Sequence, residues 1–210
     1  REIDSTISES YSYYKDKLHG AYKEKVSKAK ELKLLFTECI ATCHNLTKVN
    51  NDLIGDPIDL EMFKSSGWEL VETEEENSII QSSVRPKEEK SLTDKLSECN
   101  PDDEDQIIKD HYEMVIIKRY DFTSKLQRMS VICKNPNEEV YKIFTKGSPE
   151  KIYDLCRKDT IPDNFMEILN KYTSKGYRVL GLAGKPMKIS YMNSNTIERD
   201  KLEKNMCHLA

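Results

Sequence analysis

The sequence predicts an α+β domain, a mostly antiparallel β-sheet with helices packed against it. Three observations carry that expectation. Strand-like runs at 113–120 (EMVIIKRY), 128–134 (RMSVICK) and 139–146 (EVYKIFTK) follow one another closely and are rich in β-branched and aromatic residues. Asn135-Pro136-Asn137, between the last two, is good chemistry for a hairpin turn. The connections read as hairpin loops and strand-to-strand inserts, so a doubly wound parallel sheet is not expected.

Taken in chain order, residues 1–20 are rich in Ser, Tyr and charge, and the first ten show no core face. From 22 to 42 the pattern is helical: Val26, Ala29, Leu32, Phe36, Cys39, Ile40 and Cys43 recur at three- and four-residue steps. Asn50-Asn51-Asp52 breaks the chain. Asp56-Pro57 then reads as a helix start, with Asp as cap and Pro in the first turn. Leu60 and Phe63 point inward, Gly67 ends the helix, and Trp68 and Leu70 open a strand. Residues 72–105 are acidic, Ser-rich and nearly free of aromatics. Such a segment buries too little apolar surface to offset its ordering entropy, so an insert without fixed structure is expected there. After the three strands, Ser148-Pro149-Glu150 is a second helix start. Another helix begins near Pro162, with Phe165, Ile168, Leu169 and Tyr172 as its stripe and Gly176 as its stop. A strand at 178–183 and a helix at 197–205 complete the expectation, and no internal repeat is visible.

Composition narrows the function classes. The chain has 210 residues, enough for one domain with its own core. A formal net charge of −4 without any Lys/Arg block argues against nucleic acid or an anionic membrane surface as partner. No apolar run approaches the roughly 20 residues that span a bilayer, and no signal peptide is visible. The six cysteines are scattered, which fits reduced thiols better than a disulfide framework. Cys39, Cys43 and His44 could suggest a metal site, and Cys39 and Cys43 would share a helix face, but no second ligand pair has matching spacing, so buried thiols are expected and no metal site is assigned.

The familiar catalytic motifs are missing. There is no G-x-G-x-x-G, no G-x-x-x-x-G-K-[ST] and no H-E-x-x-H, and the four histidines form no recognisable catalytic set. A nucleotide would have to be held by an aromatic shelf, a cation and a few hydrogen-bonding groups. Phe122, between a strand and the polar run TSKLQR, could stack a base. Lys146, followed by Gly147, could meet a ligand at the sheet edge, where glycine permits close backbone approach. Each signal alone is weak, since a Phe beside a strand is usually a core residue and a Lys at a strand end is usually solvated.

Five segments add a resemblance. The run 144–150 (FTKGSPE) resembles the K-G-A-P-E signature of P-type ATPase nucleotide-binding domains, with Ser148 in place of the common Ala. The run 121–131 (DFTSKLQRMSV) is similar to their F-x-S-x-x-x-R-M-S-V stretch. Segments 43–47 (CHNLT), 55–59 (GDPID) and 172–180 (YTSKGYRVL) resemble their C-H-x-L, G-D-P-x-[DE] and Y-T-x-x-G-[FY]-R-V stretches. All five stand in the family's order and cover about 36–70 and 111–210. The wording around 55–63 and 172–179 is closest to the type V branch, particularly its polyamine transporters.

That resemblance implies one nucleotide-binding domain over 1–210, with a lineage-specific helical extension at about 1–35 and an unstructured insert at about 72–106. It implies that Phe122 stacks on adenine and that Lys146 and Gly147 line the pocket near base and ribose. Asp59 accepts from the adenine amino group, and Arg178 acts at the phosphates. Gln127 stands where calcium pumps carry Lys. The ligand implied is ATP, as Mg-ATP in a full-length pump at the cytosolic face of an endolysosomal or vacuolar membrane. The partners implied are the phosphorylation and actuator domains of the same polypeptide. The D-K-T-G-T and T-G-D-G-x-N-D loops are not in the chain, and 199–210 resembles the stretch that re-enters the phosphorylation domain. The chain alone is therefore expected to be a monomer that binds ATP without hydrolysing it. Two other classes compete: a non-catalytic interaction module with a decayed nucleotide site, and a free-standing kinase-like or hydrolytic enzyme.

Overall fold

The computed structural model describes residues 28–74, 80–87 and 112–210. Its centre is a seven-stranded sheet in which every neighbouring pair is antiparallel, in the order β3-β4-β5-β6-β7-β8-β9. The strands are β3 (Trp68–Glu74), β4 (Ile80–Pro86), β5 (Met114–Thr123), β6 (Arg128–Lys134), β7 (Tyr141–Gly147), β8 (Gly181–Met187) and β9 (Cys207–His208). Spatial order follows chain order, so consecutive strands are neighbours throughout and the α+β expectation holds.

Helices cover both faces. On one lie α1 (Lys28–Thr42) and α2 (Pro57–Ser66), over a core that includes Cys39, Cys43, Phe63, Trp68, Leu70, Val84, Met129, Val131 and Phe144. On the other, α3 (Pro149–Leu155) and the C-terminal segment pack over Ile132, Tyr141, Ile143, Ala183, Leu202 and Met206. Period-two alternation explains the split: Met129, Val131 and Cys133 face α1 while Ser130 and Ile132 face the opposite layer. Both faces of the sheet's middle are covered, and every residue of β7 is buried, its polar side chains Lys142, Thr145 and Lys146 included.

The helix signals at 56–67 act as read. The Asp56 side chain accepts from Ile58 N at 2.8 Å, Pro57 opens α2, and Gly67 closes it with φ of 71°. Ser148 caps α3, and Pro149 is its first residue.

Several expectations need correction. Asn50 and Asn51, at φ of 50° and 69°, are the two-residue turn of a small hairpin, β1 (Thr47–Val49) with β2 (Asp52–Ile54), and not merely a break. Glu72 fixes this hairpin to β3 by accepting from Thr47 Oγ1 at 3.1 Å and Lys48 N at 3.0 Å. The expectation of an insert without fixed structure over 72–106 fails at 72–74, which finish β3, and at Ile80–Pro86, which form a strand between β3 and β5. Val84 is wholly buried there, a local apolar anchor that the average composition of the segment conceals. Residues 75–79 and 88–111 lie outside the described residues, as do 1–27 of the expected extension.

In the helix α4 (Phe165–Thr173) only Leu169 is buried. The strand expected at 178–183 starts at Gly181, so Arg178 lies in the preceding loop. The helix expected at 197–205 is reduced to α6 (Arg199–Leu202) because Ile197 is extended, and α5 (Tyr191–Thr196) precedes it.

Candidate nucleotide site

The register of the sheet gathers the implicated residues at one end. Thr123 pairs with Arg128, Arg128 with Gly147, and Gly147 with Gly181, which makes one row across β5 to β8. Phe122 and Lys146 are each one residue from that row. Two strand spacings separate them, so their backbones are about 10 Å apart. Arg178 precedes Gly181 by three residues and lies beyond the same end of the sheet.

Phe122 is within β5, not after it, and sits in a bulge: the pairing passes from Tyr120↔Ser130 to Thr123↔Arg128 with a shift between. Bulges twist a strand and re-aim its side chains. Phe122 is 54% exposed, which removes the core-residue reading. Gln127 closes the β5–β6 turn with a φ of 53°, and its amide donates to Thr123 O at 2.7 Å. Its carbonyl accepts from Ser148 N at 2.9 Å, which seats the cap of α3 on the hairpin. Gly147 makes this approach possible. A Cβ there would collide with Gln127 O and lie 2.8 Å from Arg128 Cα.

Lys146 is not the solvated strand-end lysine that position alone would give. Lys142, Phe144 and Lys146 share the face of β7 under α1 and α2, and each lysine meets a carboxylate from the helix above. Lys142 Nζ lies 2.7 Å from Glu38 Oε1 of α1. Lys146 Nζ pairs with Asp59 Oδ1, in the first turn of α2, and the two side chains are only 8% and 12% exposed. Asp59 and Lys146, which the sequence assigns separately to a ligand, thus satisfy one another.

Beneath this pair lies the Cys43-His44 corner. The Cys43 thiol is 3.8 Å from Met129 O, and burial pushes its pKa up to about 12, with Lys146 opposing and Asp59 reinforcing. His44 uses both ring nitrogens on backbone: Nε2 is 2.8 Å from Ala41 O, and Nδ1 accepts from Leu46 N at 3.1 Å. Burial lowers its pKa to about 3, helped by the charge of Arg119. This corner is structural, and the described residues contain no group of three or more His, Cys, Asp or Glu able to hold a metal.

A second cluster, on the opposite face, was missed by sequence reasoning. Glu203 is 1% exposed and takes Arg128 Nε at 2.7 Å, Arg199 Nε at 2.6 Å, and the Ser130 hydroxyl. Ser130 Oγ is also 2.8 Å from Thr145 Oγ1, next to Lys146. The signal was present as an Arg and a Glu four residues apart in 199–203, a spacing that places both on one helix face.

A family model described as "P-type ATPase, cytoplasmic domain N" matches residues 41–210. The chain belongs to that family. The mouse protein named Polyamine-transporting ATPase 13A3 is 38% identical over 182 residues, covering 83% of this chain and 15% of that protein. The Saccharomyces cerevisiae protein named Vacuolar cation-transporting ATPase YPK9 is 35% identical over 182 residues, 81% of this chain and 12% of the yeast protein. Mouse Polyamine-transporting ATPase 13A2 is 34% identical over 169 residues, 80% of this chain and 14% of that protein. These relatives are type V P-type ATPases, as the motif wording implied. The chain spans about one-seventh of the length of the mouse relatives. No helix among the described residues is long and apolar enough to cross a membrane.

Proposed function

We propose that this N domain binds ATP at the β5–β8 end of its sheet and presents the γ-phosphate to an aspartate in a separate phosphorylation domain of a type V transport ATPase. The observation that supports this best is the convergence of an exposed Phe122, the Gln127 turn, the close approach at Gly147 and the Lys146–Asp59 pair on one end of the sheet. In this reading Phe122 stacks on adenine. Asp59 and Lys146 share their buried pair with the base and ribose, with Gly147 keeping the wall low. Arg178, exposed on the loop before β8, acts on the phosphates. Gln127 lines the turn without charge.

Mg²⁺ would arrive on the nucleotide and take its protein ligands from another domain of the pump. By analogy with the relatives' names, the cargo would be a polyamine or another cation, and by the yeast protein's name the membrane would be a vacuolar one; an endolysosomal membrane rests on the motif resemblance alone.

An open shelf with few polar anchors gives weak binding, a Kd on the order of 0.1 to several mM. The chain alone should release no phosphate, because the acceptor aspartate would lie elsewhere. Titration of Phe122→Ala and Arg178→Ala with ATP, ADP and AMP tests the assignment. Phe122→Ala should weaken all three alike, by roughly 1–3 kcal/mol of lost stacking. Arg178→Ala should weaken ATP more than AMP, since a guanidinium pairs with phosphate charge. Equal loss for ATP and AMP in Arg178→Ala, or no change in Phe122→Ala, refutes these roles and favours a decayed interaction surface.

A further inference from the structure

The bulge that carries Phe122 lacks its own ladder. Asp121 and Phe122 have no paired residue on β6, because the register jumps from Tyr120↔Ser130 to Thr123↔Arg128. A backbone carbonyl at such a gap takes its donor from water or from a side chain, and Asp121 is exposed enough for either. Arg199 supplies it. Its Nη1 donates to Asp121 O at 2.9 Å and its Nη2 to Arg128 O at 2.7 Å, one carbonyl on each strand of the hairpin. Its Nε donates to Glu203 at 2.6 Å, and Glu203 also holds Arg128. From the other face, Asn45 Nδ2 donates to Asp121 Oδ1 at 3.1 Å.

We infer that Arg199 is a positioning residue for nucleotide binding, holding the bulge so that Phe122 stays aimed as a stacking shelf. Three observations favour this over a purely structural role. Its three donors span the two strands that frame Phe122 and the buried Glu203, a fork that only a planar guanidinium can fill. The Glu203 carboxylate that receives both guanidiniums is 1% exposed, so Arg199 is anchored at a buried point while its other donors reach the hairpin. Finally, its target is the residue adjacent to Phe122 and not the middle of the sheet. The inference rests on the ATP reading only for what the shelf holds, not for how it is held.

Two measurements on the 210-residue chain test it, using Arg199→Ala and Arg199→Lys, with Glu203→Gln as a second route to the same cluster. The first is amide hydrogen exchange at 121–123 without nucleotide. The second is affinity for ATP and AMP. A control outside the hairpin, Thr160→Ala, loses the hydrogen bond it donates to Arg157 O and the buried one it accepts from His208 N. Arg199→Lys should speed exchange at 121–123 selectively. It should weaken ATP and AMP by the same factor, about tenfold, equal to most of one stacking contact. Thr160→Ala should change neither. Unchanged exchange at 121–123 in both Arg199 variants overturns the inference, as does unchanged affinity beside a wild-type chain that binds ATP. A wild-type chain that binds no nucleotide while exchange still rises contradicts the ATP reading alone and leaves Arg199 as the support of the bulge.

Discussion

Replacing Lys146 by Met keeps length and apolar stem but deletes the ammonium, and leaves the Asp59 carboxylate 12% exposed without its cation. Breaking a buried pair by removing one partner costs about 3–5 kcal/mol. Two features lower the figure here. Asp59 is in the first turn of α2, where the helix terminus supports a negative charge by about 0.3–1 kcal/mol. Its residual exposure also gives water partial access. The expected loss is therefore about 3 kcal/mol, a large share of the roughly 5–15 kcal/mol that holds an ordinary domain together. Urea denaturation followed by fluorescence of the buried Trp68 reads it as a fall in midpoint at unchanged slope. The double variant Lys146→Met with Asp59→Leu removes both charges and should recover to within about 1 kcal/mol of wild type. A loss below about 1 kcal/mol in the single variant, or a double variant that loses the sum of both singles, would show that the two groups are not coupled and that the buried pair is misassigned.

The remaining expectations concern acid, the close glycine contact and the shelf. His44 and His208 are held neutral, at pKa values of about 3 and about 4, chiefly by burial, whereas an unfolded histidine titrates near 6.5. The unfolded chain therefore binds more protons below pH 6.5, and stability should be full above that value. It should fall by about 2–3 kcal/mol per pH unit between pH 6 and 4.5, and urea midpoints that stay flat from pH 7 to 5 would contradict the burial of both rings. Gly147→Ala should cost about 1–3 kcal/mol, because the new methyl meets the backbone of the β5–β6 turn and not a yielding side chain; an unchanged melting temperature would show that the turn gives way. Phe122→Ala should change folding stability by no more than about 0.5 kcal/mol, since the ring is more than half exposed; a loss above 2 kcal/mol would return Phe122 to the core.

Local signals with a single physical cause were legible in the sequence. The caps at Asp56 and Ser148, the left-handed Gly67 and the Asn135 turn each depend on a few adjacent residues, and each is where it was read. Strand β4 was not legible, because Ile80 and Val84 stand three polar residues apart, without the alternation of a strand, and only pairing with the neighbouring strands explains its place. The Asn50-Asn51 hairpin was read as a break, although left-handed asparagines at a two-residue turn are its signature. At the site, residue identities were legible through motif resemblance, but pairing was not. That Lys146 and Asp59 join each other, 87 positions apart in the chain, follows from α2 crossing β7, and nothing local encodes it. The Arg199 cluster shows the same limit. The four-residue spacing of Arg199 and Glu203 marks one helix face, while the Asp121 carbonyl that Arg199 reaches belongs to a bulge visible only in the register.

The central claim is that ATP occupies the β5–β8 end of the sheet. Backbone NMR of the 210-residue chain during an ATP titration tests it most directly. Saturable shift changes at about millimolar ATP should concentrate at Asp59, 121–128, 146–148 and the loop around Arg178, with α4 and α5 silent. An absence of saturable change up to about 10 mM ATP, or changes centred on α4 and α5 with Phe122 and Lys146 unmoved, would contradict the account.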